Sequence, residues 1–298
     1  GETYAPTDLI GKTGLEASYE NVLRGKNGKT RVEVDARGRK KQVIAEDPSV
    51  DGKNIYLALD LPLQTFAESA LRQELRVSGK RRGSVTVLNP KTGEVLAMVN
   101  LPSFDNNLFA DGISTQNYSR LQGDKDNPLF PRAIASNVPS GSVFKLIMAA
   151  AGIDEKVITP ETTVNSTGGL RIGQWAFPDW KAGGHGITNV YKGLAESVNT
   201  FFYVLGGGYE NRPGLGPEKI VDYAKRFSLG QNTGIDIPGE TDGFLPTPTW
   251  KLNARKEQWY IGDTYHLSIG QGDLLVTPLQ IAVMTEVFAN GGKLLQPR

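Results

Sequence analysis

A serine and a lysine three residues apart lie where a turn sequence runs into an apolar segment. The stretch NVPSGSVFKLIMAA, residues 137–150, places Ser142 after Pro-Ser-Gly and Lys145 among large apolar side chains. Residues three apart share one face of a helix. Apolar surroundings lower the pKa of an amine by desolvation, and a neutral amine beside a hydroxyl can act as general base for a serine nucleophile. The pair therefore predicts Ser142 as a nucleophile and Lys145 as its base.

The Ser-x-x-Lys spacing also has a plainer interpretation, in which Ser142 caps a helix and Lys145 extends to water. A second element favours catalysis. Ser197 and Asn199 flank Val198, and the triplet begins 55 residues after Ser142. Residues two apart on a helix point in roughly opposite directions, so both side chains can face one cleft only if the triplet is a loop or the start of a helix. There a hydroxyl could relay the proton of the serine and an amide could hold a peptide.

The composition is that of a globular chain of 298 residues, long enough for one large domain or two ordinary ones. The net charge of +1 gives no reason to expect nucleic acid as a partner. The absence of cysteine excludes disulfides, thiolate nucleophiles and cysteine-ligated zinc. No apolar run is long enough to span a membrane. Because the chain starts at Gly1 without a methionine, a removed upstream signal or anchor is compatible with it.

Residues 1–53 differ in texture from the rest of the chain. The stretch KTRVEVDARGRKKQVIA alternates around a glycine and predicts a β-hairpin. Between Arg24 and Lys41 the sequence has eight basic and two acidic residues. This basic segment is interpreted as a solvated hairpin, and the alternative is a face close to anionic lipid headgroups.

Residues 54–298 have the texture of one α+β domain. LPLQTFAESALRQEL has helical spacing, and GSVTVL and EVLAMV predict a hairpin joined by the turn NPKTG. Beyond Ser142 we expect mostly helices separated by glycine-rich loops. Two of these helices are predicted at 217–226 and 278–289, each starting with proline, which is well tolerated in a first helical turn. Strands followed by helices favour α+β over a regular βαβ alternation.

The combination of Ser-x-x-Lys and Ser-x-Asn resembles penicillin-binding proteins and serine β-lactamases. Longer stretches make the resemblance more specific, to class B penicillin-binding proteins of the penicillin-binding protein 2 type, which act in cell elongation. The similar stretches, in order, are LIGKTGLEASYENVLRG, VTVLNPKTGEVLAMVNLPSFDNNLF, DWKAGGHG, TGIDIPGE and IGQGDLLVTPLQIA. The family implies an antiparallel sheet flanked by helices in residues 54–298. It also implies that residues 1–53 are the remnant of a β-rich N-terminal pedestal.

The resemblance implies a mechanism for the four residues. Ser142 would attack the penultimate D-Ala carbonyl of a stem peptide ending in D-Ala-D-Ala, and Lys145 would take its proton. Ser197 would relay protons and Asn199 would position the substrate. An amine of a second stem peptide would then resolve the acyl-serine to a cross-link, and a β-lactam would form a slowly hydrolysed adduct. The backbone N–H of Ser142 is the expected oxyanion donor.

The family also implies partners and a location. Besides stem peptides and β-lactams, the expected partners are a SEDS-type glycosyltransferase and scaffold proteins of the elongation complex. No cofactor is expected. The expected location is the outer, periplasmic side of the bacterial cytoplasmic membrane, with a single N-terminal anchor that this chain does not contain.

The third family motif, Lys-Thr-Gly or Lys-Ser-Gly, does not follow Ser-x-Asn in this chain. The chain ends at Arg298, 99 residues after Asn199. Two Lys-Thr-Gly triplets, at 12–14 and 91–93, both precede Ser142 and are interpreted as chance. We therefore expect the C-terminal strands to lie outside this chain and the chain alone to be impaired in catalysis.

The substrate cleft is expected to include Asp179, Trp180 and His185, which precede the Ser-x-Asn triplet in the sequence. In some relatives a nearby zinc ion is held by two carboxylates, a histidine and a cysteine, and the corresponding positions here are Asn165, Asp179, His185 and Val198. These supply two good ligands, fewer than a tetrahedral site needs, so no metal is predicted. His185 is then expected to be structural, hydrogen-bonded near Asp179 and Trp180.

Two rival functions remain open. A β-lactam sensor or a scaffold would keep the fold without turning over peptide, and Ser142 with Lys145 is compatible with that. A serine β-lactamase is disfavoured because Glu161, which imitates the deacylating glutamate of class A enzymes, precedes Ser-x-Asn instead of following it.

Overall fold

The computed structural model describes residues 4, 8–110 and 112–298, and the chain divides into two units. The first unit is Gly1–Ala58 with Ile235–Gly239, and the second is Leu59–Gly234 with Glu240–Arg298. The short segment 235–239 joins the first unit from a distant part of the chain.

The first unit consists of two short helices and a hairpin: α1 Gly14–Ser18, α2 Glu20–Leu23, β1 Lys29–Val34 and β2 Lys40–Asp47. The antiparallel pairing of β1 with β2 confirms the predicted hairpin. Its turn is held by Asp35, whose carboxylate accepts the backbone N–H groups of Arg37 and Arg39. Gly38 supplies a positive φ of 77° in this turn. Every described residue of 1–58 is at least partly exposed.

The second unit begins with a helix and a hairpin, as predicted: α3 Leu61–Val77, β3 Gly83–Leu88 and β4 Val95–Leu101. Asp60 starts α3 by accepting the Leu63 N–H with its side chain. Alternate residues of β4 are buried, as a strand with one covered face requires. Ala67 of α3 and Ala97 and Val99 of β4 form a small core between the helix and the sheet.

The middle of the second unit is assembled from short elements. Its helical elements are the 3₁₀ turns Asn106–Phe109 and Gly141–Phe144 and the helices α4 Thr115–Gly123, α5 Arg132–Ala135 and α6 Lys145–Asp154. The strands are β5 Val164–Ser166, β6 Gly169–Ile172, β7 Trp175–Pro178 and β8 Gly186–Thr188, paired β5 with β8 and β6 with β7. The expectation of mostly helices beyond Ser142 is confirmed by α6 and the six helices after residue 189, but the four short strands within 164–188 were not predicted. Strands of three or four residues are too short to show a period-two pattern.

Six helices complete the second unit: α7 Val190–Ala195, α8 Asn199–Gly207, α9 Pro217–Arg226, α10 Pro248–Arg255, α11 Ile261–Ser268 and α12 Pro278–Ala289. The predictions of α9 and α12 are confirmed, and α12 starts with a reciprocal capping box between Thr277 and Gln280. The main core gathers around α8, whose Phe201 and Phe202 are fully buried. Among the residues that the structure describes, no helix is long and apolar enough to cross a membrane.

Candidate active site

Ser142 lies on an exposed 3₁₀ turn that runs directly into α6. The next residue but one, Phe144, is fully buried, so the turn is anchored at its C-terminal end by the core. At the other end, the Gly141 N–H donates to the Gly270 carbonyl at 2.8 Å. Just before it, Val138 and Val276 exchange both backbone hydrogen bonds, at 3.0 and 2.8 Å. The nucleophile candidate is thus an exposed hydroxyl on a backbone that is fixed on both sides.

The approach of Gly270 to the Ser142 turn requires glycine. Gly270 has a φ of 72°, in the left-handed region. A Cβ at this position would lie 2.1 Å from the Gly141 carbonyl oxygen and 2.4 Å from the Ser140 hydroxyl. A side chain here would therefore displace the turn that carries Ser142.

Lys145 is the first residue of α6 and is only 1% exposed. Its ammonium lies 5.4 Å from the centre of the Phe202 ring. Burial lowers the pKa of Lys145 to about 8, and the negative charge of Asp179 acts in the opposite direction. A lysine with this pKa is partly neutral at neutral pH, as a general base must be.

The hydrogen bonds of Lys145 lead to the Ser-x-Asn triplet. Its Nζ donates to the Ser197 carbonyl at 2.9 Å, to the Ser197 Oγ at 3.1 Å and to the Asn199 Oδ1 at 2.6 Å. The Ser197 Oγ in turn donates to the Ser142 Oγ at 2.9 Å. The structure therefore brings all four predicted residues together, and the connection between Lys145 and Ser142 runs through the Ser197 hydroxyl.

The Ser197–Asn199 triplet has the local form that its spacing requires. Ser197 adopts a left-handed φ of 52°, and Asn199 is the first residue of α8. The sharp turn at Ser197 directs its hydroxyl and the Asn199 amide toward the same lysine, although the two residues are only two apart. The prediction that the triplet is a loop leading into a helix is confirmed.

Asp179 is a fully buried carboxylate behind this triplet. Its Oδ1 accepts the N–H groups of Asn199 at 3.1 Å and Trp180 at 2.9 Å. Its Oδ2 accepts the Thr200 N–H at 2.9 Å, the Thr200 hydroxyl at 2.6 Å and the Ser166 hydroxyl at 3.3 Å. Burial alone raises the pKa of Asp179, but the hydrogen bonds from Thr200, Asn199 and Trp180 outweigh it and leave the pKa below its usual value.

His185 lies between two carboxylates and is buried. Its Nδ1 is 2.8 Å from the Glu196 Oε2, and its Nε2 is 3.7 Å from the Asp179 Oδ1. Trp180 packs edge-on against the imidazole with ring centres 5.1 Å apart, and its indole N–H donates to the Glu196 carbonyl at 3.1 Å. Of the three cleft candidates, only Trp180 is at the surface, with 64% exposure. Asp179 and His185 stand behind Ser197 and Asn199.

Glu196 was not singled out from the sequence, although it contacts both His185 and Trp180. The hydrogen bond from His185 holds the pKa of Glu196 below its usual value. The one available signal was its position directly before Ser197, and nothing in the sequence shows that residues 180 and 185 fold back onto it.

The residues at the positions considered for zinc do not fit such a site. Asn165 is exposed and Val198 is a fully buried part of the apolar core. The two oxygens of Asp179 are already occupied by five donors. Within residues 4, 8–110 and 112–298, no cluster of three or more histidine, cysteine or acidic side chains could hold a metal ion.

The Lys91-Thr92-Gly93 triplet forms the turn between β3 and β4. Gly93 has a φ of 75°, and a Cβ there would lie 2.6 Å from the Gln296 carbonyl oxygen. The Thr92 hydroxyl donates to the Glu94 carboxylate at 2.7 Å. Thr92 and Gly93 are therefore explained by the contacts and the geometry of this turn.

Comparison with known proteins identifies the class. Residues 83–298 match the penicillin binding protein transpeptidase domain, and residues 1–57 match the penicillin-binding protein dimerisation domain. The chain therefore belongs to the penicillin-binding protein transpeptidase family.

Individual relatives show more specifically which members of the family this chain is similar to. The chain is 40% identical to the peptidoglycan D,D-transpeptidase MrdA of Haemophilus influenzae over 99% of its own length and 44% of the relative. It is similar to a penicillin-binding protein (PBP2) from Helicobacter pylori solved in a complex with MreC, with a TM-score of 0.87, 33% identity and coverage of 97% of this chain and 52% of that one. A chain from a peptidoglycan synthase complex gives a TM-score of 0.83 at 35% identity, covering 99% of this chain and 54% of that one. This chain thus spans about half the length of these relatives.

Proposed function

We propose that this chain carries the nucleophile and the general base of a peptidoglycan D,D-transpeptidase that works through an acyl-serine. The observation that carries the proposal is the hydrogen-bonded chain from Lys145 through Ser197 to Ser142, with Asn199 on the same lysine. A buried amine with a pKa of about 8, joined to an exposed hydroxyl, is suited to activating that hydroxyl near neutral pH.

The proton follows this chain during acylation. When Lys145 is charged, the amine donates to Ser197 and Ser197 donates to Ser142. Loss of the lysine proton reverses the direction. Ser142 then donates to Ser197, Ser197 donates to the neutral amine, and the Ser142 Oγ attacks the penultimate D-Ala carbonyl. Lys145 then returns the proton to Ser197, and Ser197 passes its own hydroxyl proton to the amide nitrogen of the terminal D-Ala. The bond between this nitrogen and the carbonyl carbon breaks, and D-Ala leaves as a free amine.

The resulting acyl-serine is resolved by an amine of a second stem peptide, which gives the cross-link. The backbone N–H of Ser142 is the proposed oxyanion donor, because it lies in the first turn of the helical segment that continues into α6, where the positive end of a helix favours negative charge. Asn199 holds the peptide amide of the donor strand, and the exposed Trp180 lies at the rim of the cleft. A β-lactam replaces the D-Ala-D-Ala amide and acylates the same oxygen.

The proposed domain arrangement has a pedestal remnant at 1–53 and a transpeptidase domain at 54–298. The matches of 1–57 and 83–298 to separate family models support it. Since no Lys-Thr-Gly follows Asn199 in this sequence, we propose that these residues alone acylate poorly. The binding of the substrate carboxylate would then depend on a motif that this sequence does not contain.

The proposed partners are stem peptides ending in D-Ala-D-Ala, a SEDS-type glycosyltransferase and scaffold proteins of cell elongation, on the outer side of the bacterial cytoplasmic membrane behind an N-terminal anchor. The Helicobacter pylori relative in complex with MreC supports a scaffold partner. The similar chain from a peptidoglycan synthase complex supports an association with glycan polymerisation.

The experiment is a donor–acceptor assay with the full-length gene product. The protein is incubated with a pentapeptide ending in D-Ala-D-Ala and an amine acceptor, and released D-Ala and cross-linked product are quantified. We expect both products in equal amounts at saturating acceptor. A protein that is acylated by penicillin but releases no D-Ala would be a sensor or scaffold, and rapid hydrolysis of the penicilloyl adduct would indicate a β-lactamase.

A further inference from the structure

The N-terminus of α8, which carries Asn199, lacks a cap of its own. Its N-cap residue is Val198, whose side chain makes no capping hydrogen bond. Asp179, twenty residues earlier in the sequence, accepts the N–H groups of Asn199 and Thr200 instead. A carboxylate at this place satisfies orphan donors and interacts favourably with the positive end of the helix. The helix start is thus held by a residue from a different part of the chain.

Asp179 is connected to the general base through one residue. Asn199 donates its backbone N–H to Asp179 and accepts the Lys145 ammonium with its side chain. A shift of the carboxylate would therefore move the start of α8 and, with it, the amide that orients the lysine.

The neighbours of Asp179 hold the other side of the Ser197 turn. Trp180 donates to the Glu196 carbonyl, and His185 contacts the Glu196 carboxylate. Ser197 lies between Glu196 and the start of α8 with a positive φ, which a residue with a Cβ rarely adopts. Such a conformation persists only where the surrounding contacts determine it.

We propose that Asp179 is a positioning residue for the transpeptidase reaction. By accepting the N–H groups of Asn199 and Thr200, it fixes the Ser197–Asn199 turn against Lys145. The inference rests on the proposed function, in which Lys145 is the base.

The charges around Lys145 determine what removal of Asp179 would do. Three elements near Lys145 carry charged or titratable groups. These groups are Asp179, Lys181 and His185 on the loop between β7 and β8, Lys192 and Glu196 at the end of α7, and Tyr203 on α8. On α9, which also packs against α6, Tyr223 and Arg226 contact Asp154 at the opposite end of α6. Asp179 is the charge that acts on the pKa of Lys145, and it raises this pKa against the lowering by burial. Loss of the carboxylate charge therefore lowers the pKa of Lys145 further.

Asp179→Asn tests the proposal. At either oxygen position the amide nitrogen would face a backbone N–H donor, so at least one of the three backbone hydrogen bonds to Asp179 is lost. The measurement is the second-order rate constant for acylation of the full-length product by a fluorescent penicillin, across a pH range on both sides of 8. We expect the plateau at high pH to fall about tenfold or more, because small misplacements of catalytic groups are costly. We also expect the midpoint of the profile to move to lower pH.

Two further variants distinguish the effect of the Asp179 charge from the effect of its position. Asp179→Glu keeps the charge but displaces the carboxylate, so its plateau should fall while its midpoint stays at the wild-type pH. Thr200→Val removes one donor to Asp179 and should lower the plateau modestly without moving the midpoint. Asp222→Asn, the same substitution at an exposed position of α9, is the matched control and should change neither quantity.

An Asp179→Asn plateau within about twofold of the wild-type plateau would overturn the proposal. If Asp179→Asn does not fold, as judged by circular dichroism, the other two variants decide: wild-type plateaus in both would also overturn it. The two hypotheses fail in different ways. If the wild-type protein is not acylated at Ser142, the proposed function is wrong. If the wild-type protein is acylated normally but the Asp179 variants behave like it, only the role of Asp179 is wrong.

Discussion

The two halves of the candidate site differ in the contacts that fix them. On the nucleophile side, Ser142 and Lys145 are held by apolar packing of Phe144 and its neighbours and by backbone pairing with residues 270–276. On the Ser-x-Asn side, the buried Asp179 accepts the Asn199 N–H, and Trp180 donates to the carbonyl of Glu196, the residue before Ser197. Apolar packing holds both halves, since Val198 and Phe201 are also fully buried, but only the Ser-x-Asn half depends on a buried carboxylate as well.

This difference predicts which part of the site responds to pH. Apolar packing does not change with pH, so the position of Ser142 should be insensitive to it. The contribution of Asp179 to stability is present above the unfolded carboxyl pKa of about 3.9 and is lost as pH falls through its lower folded value. Acid should thus loosen the Ser-x-Asn half before the nucleophile half.

Removal of the base should have the largest effect. Lys145→Met keeps an unbranched side chain that can fill the buried space, but it removes the amine. We expect the rate of acylation by a fluorescent penicillin to fall by about 10²–10⁴-fold, the usual contribution of general base catalysis. The melting temperature should change little, because two effects on stability oppose each other. The variant no longer buries a charge, but it loses the hydrogen bonds of the ammonium group. A rate within about twofold of wild type would remove Lys145 from the mechanism.

Disruption of the backbone support should have the next largest effect. Gly270→Ala introduces a Cβ 2.1 Å from the Gly141 carbonyl and strains a positive φ. We expect an acylation rate lower by about 10–100-fold, because the Ser142 turn must move. Gly291→Ala is the matched control: its φ is 79°, but a Cβ there meets no atom within 4 Å. Equal losses in both variants would show that backbone strain, and not displacement of the turn, is responsible.

A smaller effect is expected from pH in the wild-type protein. Since burial lowers the pKa of Lys145 to about 8, its neutral fraction falls about tenfold for each pH unit well below that value. The acylation rate should rise with pH and level off above 8. A rate that is flat from pH 6 to 9 would show that Lys145 does not act as the base. The helical circular dichroism should stay constant over the same range, because the nucleophile side is held by packing.

The sequence predicted the elements whose signals are local. The hairpin of β3 and β4, the helix α3 and the proline-initiated helices α9 and α12 all have periodic patterns or capping residues within their own stretch. The Ser197 turn was predicted from stereochemistry alone, because two side chains two residues apart could not otherwise meet in one cleft.

The sequence could not predict what depends on contacts between distant segments. The pairing of β5 with β8 and of β6 with β7 involves strands of three or four residues, which carry no periodic signal. The role of Asp179 as a cap depends on the fold bringing it to the start of α8, twenty residues away. The same holds for position 270. Glycine is needed there because the backbone approaches the Ser142 turn, which lies nearly 130 residues earlier in the chain.

The most direct test of the account is to locate the acylated residue. The full-length product is incubated with a labelled penicillin, and the adduct is assigned by intact mass and peptide mapping, with Ser142→Ala in parallel. The account predicts one adduct per chain on the peptide containing Ser142 and none on the Ser142→Ala protein. An adduct that persists in Ser142→Ala, or no adduct on a folded wild-type protein, would contradict the assignment of Ser142 as the nucleophile.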